Sequence, residues 1–167
     1  GLMYGLFTLS ELDFINDGNL YEFDAYDEPS LPFRALSDDI SRGQISTLSN
    51  FYAIIRRLAR YKYNTYMPYI EDVFRFTSVP EWGRYSDPLE KEEWRAIIAY
   101  EKEWNLSVRP IVNLLVHFDK LCHIRDLQHL CLRRKDGSLT DCMDPTKPEV
   151  RSTILKMLKD IVDCFGK

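Results

Sequence analysis

From Ile45 onward the apolar positions of this chain recur with a helical period. In "ISTLSNFYAIIRRLARYKYNTY", Leu48, Phe51, Tyr52, Ile55, Leu58 and Ala59 share one face, and Arg56, Arg57 and Arg60 fall opposite. The pattern predicts a helix, with a break permitted at Pro68 and a short helix over "YIEDVFRF". Asp87 as N-cap, Pro88 at N1 and Glu90 at N3 predict the start of a helix through "LEKEEWRAIIAYEKEWN", burying Trp94, Ile97, Tyr100 and Trp104. Ser107 can cap "VRPIVNLLVHFDKLC", which is apolar nearly all round from Ile111 to Leu115 and so is expected at the centre of a bundle. Residues 133–148 read as a polar turn region. "EVRSTILKMLKDIVDCFG" reads as a closing helix with Val150, Ile154, Leu158, Ile161 and Phe165 in register and Gly166 as its stop.

The first 43 residues do not follow that period. In "DFINDGNLYEF" the pair Asp17-Gly18 lies between short alternating runs, and Tyr21, Phe23 and Tyr26 are strand-favouring residues. This predicts a β-hairpin, with a loop after a first helix as the other reading. The expected fold is α+β, mainly α: a small N-terminal β-hairpin element packed on a helical bundle, with an all-α bundle as the alternative. One domain over 1–167 is expected, excised from a longer protein, with 1–43 as its β or irregular part and 44–167 as the bundle.

Length and composition permit a sizeable core: 167 residues, 45% of them hydrophobic. Charges interrupt every apolar run, so no membrane-spanning helix is expected, and the start lacks the basic region of a signal peptide. The four cysteines, at 122, 131, 142 and 164, are too dispersed for a disulfide framework and read as reduced thiols of a cytosolic or nuclear protein.

The net charge of −4 argues against nucleic acid as the main partner. Its distribution says more. Residues 1–33 hold seven acids and no Lys or Arg, whereas 44–66 hold Arg56, Arg57, Arg60 and Lys62 and no acid. The acidic strip carries Tyr21, Phe23, Asp24, Tyr26, Asp27 and Glu28. Exposed, it would be a docking surface with aromatic anchors. Buried, it would close one end of the bundle. The basic helix with Tyr61, Tyr63 and Tyr66 could instead contact phosphates and stack on bases. His117, Cys122, His123, His129 and Cys131 cluster in sequence but match no zinc spacing. The seven glycines do not cluster, so no phosphate loop or dinucleotide fingerprint exists. These residues point to no enzyme, no cofactor and no metal.

The order of "ELDFINDGNLYEFD", "ARYKYNTYMPYIEDVF", "EEWRAIIAYEKEW" and "SVRPIVNLLVHFDKLC" resembles a replication-foci-targeting (RFTS) domain over residues 6–121. The resemblance implies a non-catalytic adaptor or targeting module, nuclear, with a chromatin or heterochromatin ubiquitin-ligase component as partner. The candidate partner-binding residues are the acidic-aromatic strip together with Arg56, Arg57 and Arg60. The alternative function is a nucleic-acid-binding helical domain.

Overall fold

The computed structural model describes residues 1–43 and 45–166. It is α+β and mainly helical, with 41% helix and 15% strand. Among the described residues, five α-helices and six short strands follow in the order α1 Leu2–Ile15, β1 Ala35–Asp39, α2 Leu48–Arg60, β2 Thr65–Ile70, α3 Lys91–Glu103, β3 Ser107–Val108, β4 Ile111–Val112, α4 Asp119–His123, β5 Cys131–Arg133, β6 Leu139–Met143 and α5 Pro148–Phe165.

The class matches the sequence reading, but the strands lie elsewhere. No hairpin forms over 13–23. Residues 2–15 are helical, and Asp17 and Gly18, both at positive φ, end that helix, with the Gly18 N–H donating to the Asp13 carbonyl at 2.8 Å. Asp-Gly at a hairpin turn and Asp-Gly past a helix end use the same left-handed conformations, so the dipeptide alone does not separate them. An antiparallel hairpin forms instead between β5 and β6, and most of it falls in the stretch 133–148 expected to be only a polar turn region.

The principal sheet is parallel. β2 is its centre, with β1 on one edge and β3 and β4 in line on the other. Pro68 marks no helix boundary. It lies within β2, and the residue before a proline favours extended backbone. A proline removes one ladder donor. Here the loss falls where the opposing strand is interrupted: Thr65 and Tyr66 face Ser107 and Val108, Tyr69 and Ile70 face Ile111 and Val112, and Arg109 and Pro110 lie between. The expected central helix over 108–122 is therefore absent. Its β-branched residues serve the sheet edge, and only Asp119–His123 is helical.

Three of the predicted helices form, each with one buried face. On α2, Phe51, Ile55, Leu58 and Ala59 are buried and the Thr47 hydroxyl caps the Asn50 N–H. α3 begins three residues later than expected, with a reciprocal capping box between Glu90 and Glu93. Leu89 is unavailable for helix because it bridges Phe74: its N–H donates to the Val73 carbonyl, and its own carbonyl accepts from Arg75. α5 starts at Pro148 and buries Val150, Met157, Ile161 and Cys164, while Leu158 of the expected stripe is exposed and Ile154 and Phe165 are half-buried. The core between sheet and helices is aromatic, with Phe51 against Trp94 at 5.9 Å and Trp94 against Phe165 at 5.2 Å between ring centroids. Tyr66 is buried with them, and its hydroxyl donates to Asp38 at 2.7 Å. Burial first, and then the Asp38 carboxylate, push the Tyr66 phenol far above its ordinary value.

Candidate functional site: the rim at the ends of the parallel strands

Parallel strands direct their carboxyl ends to one side, where α/β folds place their ligand sites. Here those ends bring together residues that are far apart in sequence. β1 ends at Asp39 and leads into Ser41 and Arg42. β2 ends at Ile70 and leads into Glu71 and Asp72. β4 ends at Val112 and leads into Asn113.

Arg42 is the hub. Its Nε donates to Asp39 Oδ2 at 3.0 Å and its Nη2 to Glu71 Oε1 at 3.1 Å. Its guanidinium lies over the Tyr69 ring, 5.6 Å from the centroid. The Tyr69 hydroxyl donates to Glu71 at 2.9 Å and accepts from Asn113 Nδ2 at 3.2 Å. The Glu71 side chain is only 4% exposed, so the guanidinium neutralises a buried carboxylate and the phenol donates a hydrogen bond to it. Arg42 itself is half exposed, leaving donors free toward solvent. Burial would raise the Asp39 carboxyl, but hydrogen bonds from Ser41 and then Arg42 outweigh it and hold it below its ordinary value. The same two carboxylates, Asp39 first, hold the Arg42 guanidinium more firmly charged.

Behind this rim, a second network fixes the loop after β2. The Asp72 side chain is 2% exposed and meets Lys120 of α4 at 2.7 Å, with the Ser86 hydroxyl as a further donor. The Trp82 indole N–H donates to the Glu71 carbonyl at 3.1 Å. At Gly83 the backbone approaches so closely that a Cβ would lie 2.6 Å from the Asp72 carbonyl oxygen. A cavity of about 620 Å³ opens beside this network, floored by Ile40, Val73 and Ile124 and edged by Tyr85, Asp87 and His123.

The residues singled out from the sequence lie away from this rim. Tyr21, Phe23 and Tyr26 stand in solvent on an irregular segment with Asp24, Asp27 and Glu28. The strip is thus exposed and does not close a bundle. Arg56, Arg57 and Arg60 are exposed on α2, and Arg56 donates to the Tyr100 hydroxyl at 2.8 Å. Asp27 pairs with Lys62 and Tyr26 bonds Glu28. No ion pair joins the three arginines to the strip among the described residues. His129 bonds Glu149 at 2.7 Å, while Cys122 and Cys131 touch each other at 3.6 Å. Among the described residues, no three potential metal ligands converge. No described helix is long and apolar enough to cross a membrane.

Sequence reasoning passed over Arg42, Tyr69, Glu71, Asp72, Asn113 and Lys120. The available signal was "YIEDVF". Adjacent carboxylates directly follow a strand-favouring run, but reading that run as helix hid their position at a strand end.

No protein-family model matches the chain, and no curated protein matches it. Solved structures do. The fold superposes on a β-N-acetylhexosaminidase with a TM-score of 0.76 at 20% identity, over 98% of this chain and 40% of that one. A family 20 glycoside hydrolase, the exo-β-N-acetylglucosaminidase of Vibrio harveyi in complex with N-acetylglucosamine, gives 0.69 at 20% identity over 83% of this chain and 26% of that one. The Streptomyces plicatus N-acetyl-β-hexosaminidase gives 0.70 at 18% identity over 83% and 31%. The likeness is one of fold, and the chain spans between about a quarter and two-fifths of those structures. It overturns the expectation of a non-catalytic, chromatin-associated adaptor, and with it the nucleic-acid alternative and the exclusion of an enzyme. The same fold is built into glycoside hydrolases.

Proposed function

We propose that this chain supplies the sugar-binding rim of a glycoside hydrolase acting on glycans with a terminal N-acetylhexosamine. The observation that carries the reading is the coincidence of two facts. The fold is shared with β-N-acetylhexosaminidases, and the carboxyl ends of β1, β2 and β4 gather a half-exposed arginine, two carboxylates, a phenol and an amide. Such a set suits a pyranose. Arg42 donates to ring hydroxyls, Asp39 and the Asn113 carbonyl accept from them, and Glu71 and Tyr69 hold the guanidinium in place.

Glycoside hydrolysis requires a proton delivered to the leaving oxygen. Three carboxylates are already engaged: Asp39 with Ser41 and Arg42, Glu71 with Arg42 and Tyr69, Asp72 with Lys120 and Ser86. The role proposed for these residues is therefore to bind and orient the sugar.

The test is N-acetylglucosamine binding followed by NMR, alongside hydrolysis of a chromogenic N-acetyl-β-glucosaminide. Arg42→Ala should weaken binding by about tenfold or more, the loss of a charge-assisted hydrogen bond of roughly 1.5–3 kcal/mol. A protein that neither binds nor cleaves at millimolar sugar would sink the reading.

A further inference from the structure

The sulfurs of Cys122 and Cys131 lie 3.6 Å apart, one on α4 and one opening β5. They are in van der Waals contact, and a disulfide needs them to close by about 1.5 Å. The other two thiols are not placed to compete. Cys131 pairs with Met143 across the hairpin, so the neighbouring Cys142 side chain points to the opposite face, where its Sγ contacts Asp141. Cys164 lies on α5 against the Lys91 carbonyl. Access is also unequal within the pair: Cys122 is half-buried and Cys131 fully buried.

We propose that Cys122 and Cys131 form a reversible disulfide that staples α4 to the β5–β6 hairpin, with a low-molecular-weight disulfide as the oxidant. The reaction has two steps. The Cys122 thiolate attacks one sulfur of the oxidant, whose S–S bond breaks and whose other half leaves as a thiol. Cys131 then loses its proton and attacks Cys122 Sγ, releasing the second small thiol. Two protein thiols are oxidised by two electrons, and one small disulfide is reduced to two thiols. The order follows from the surroundings: burial, reinforced by the adjacent Cys122 sulfur, pushes the Cys131 thiol up to about 12, so the more accessible Cys122 is the point of entry. Closing the bond costs Cys122 its 2.7 Å hydrogen bond to the Thr140 carbonyl. The staple matters to the rim because α4 also carries Lys120, the partner of Asp72.

The experiment exposes the native protein to excess oxidised glutathione, then counts thiols after denaturation and maps the peptides. The expected result is two free thiols of the original four, a 122–131 crosslink, and a melting temperature raised by roughly 5–10 °C. Cys131→Ser should stop at a glutathione adduct on Cys122, and Cys122→Ser should leave Cys131 unreacted. Four thiols surviving in the wild-type protein, or a bridge through Cys142, would overturn the proposal. The wild-type measurement stands even if a variant fails to fold, and it does not depend on sugar binding.

Discussion

Two regions of this molecule hold acids beside aromatic rings, and they behave in opposite ways. In the segment 19–33 the rings stand in water, with Tyr26 86% exposed. Its ion pair, Asp27 with Lys62, joins side chains 52% and 27% exposed. At the strand ends, Glu71 and Asp72 are almost wholly covered, and each has a cation and a hydroxyl within reach. The first region dominates the sequence because its composition is unusual. The second is invisible there because its members come from three strands and α4. Charge density along a chain says little about where charge is costly. Burial decides that, and burial follows from topology.

The largest test of this contrast removes the cation from each region. Lys120→Ala leaves the Asp72 carboxylate buried with only the Ser86 hydroxyl, and stranding one member of a buried pair costs about 3–5 kcal/mol. Asp27→Ala breaks an exposed pair and should cost about 0–1 kcal/mol. Urea unfolding of both variants checks the gap. Equal losses would mean that Asp72 is hydrated in solution.

Next in size is a pH effect, and it separates partnered from unpartnered carboxyls. Glu101 is fully buried on α3, and among the described residues neither of its oxygens has a partner. Burial pushes its carboxyl up to about 8. In the unfolded chain it ionises near 4.5, so between those values the folded state holds a proton that the unfolded state has lost. Its contribution is complete below about pH 4.5 and fades as pH rises through 8, a decline on the order of a few kcal/mol. Asp160 runs the other way. Burial would raise it, but Lys91 and Ser78 outweigh burial and hold it at about 2, so its contribution is present above about 3.8 and lost on acidification through 2. Melting curves from pH 5 to 9 should fall for the wild type and flatten for Glu101→Gln. A wild-type profile with no alkaline decline would show that Glu101 finds a partner.

How much was legible follows the same division. α2 and α5 were readable because each buries one continuous stripe, and that stripe is local information. β2 was not. Its side chains are covered on both faces, so no alternation survives, and Pro68 imitates a helix stop. Val108, Ile111 and Val112 are apolar because they edge a sheet, a fact fixed by pairing with residues some forty positions away. The site inherited these errors. With β2 and β4 read as helix, Glu71 and Asn113 have no common edge on which to meet. Asp-Gly failed in a different manner. At 17–18, where the sequence predicts a hairpin turn, the pair ends α1, while the pair at 136–137 serves the β5–β6 turn.

The smallest test compares two glycines with the same backbone. Gly18 and Gly83 have φ of +80° and +83°. Any L-residue pays a conformational penalty at either position, on the order of 1 kcal/mol. They differ in what surrounds them. A Cβ on Gly18 meets nothing within 4 Å, and the helix it ends has no buried residue, so Gly18→Ala should cost only that penalty or less. A Cβ on Gly83 would lie 2.6 Å from the Asp72 carbonyl and 3.1 Å from Pro88 Cγ. The first contact is with backbone, which cannot rotate away, so the loop must lift off the end of β2. Gly83→Ala should therefore cost about 2–3 kcal/mol by steric strain added to the conformational term. It should also disturb the Lys120–Asp72 pair, whereas Gly18→Ala should leave that pair unchanged. Denaturant midpoints give the stability difference, and the ammonium resonance of Lys120 reports the pair. Matching midpoints for the two alanine variants would mean that the Gly83 loop stands off from β2, and the covered rim would lose its explanation.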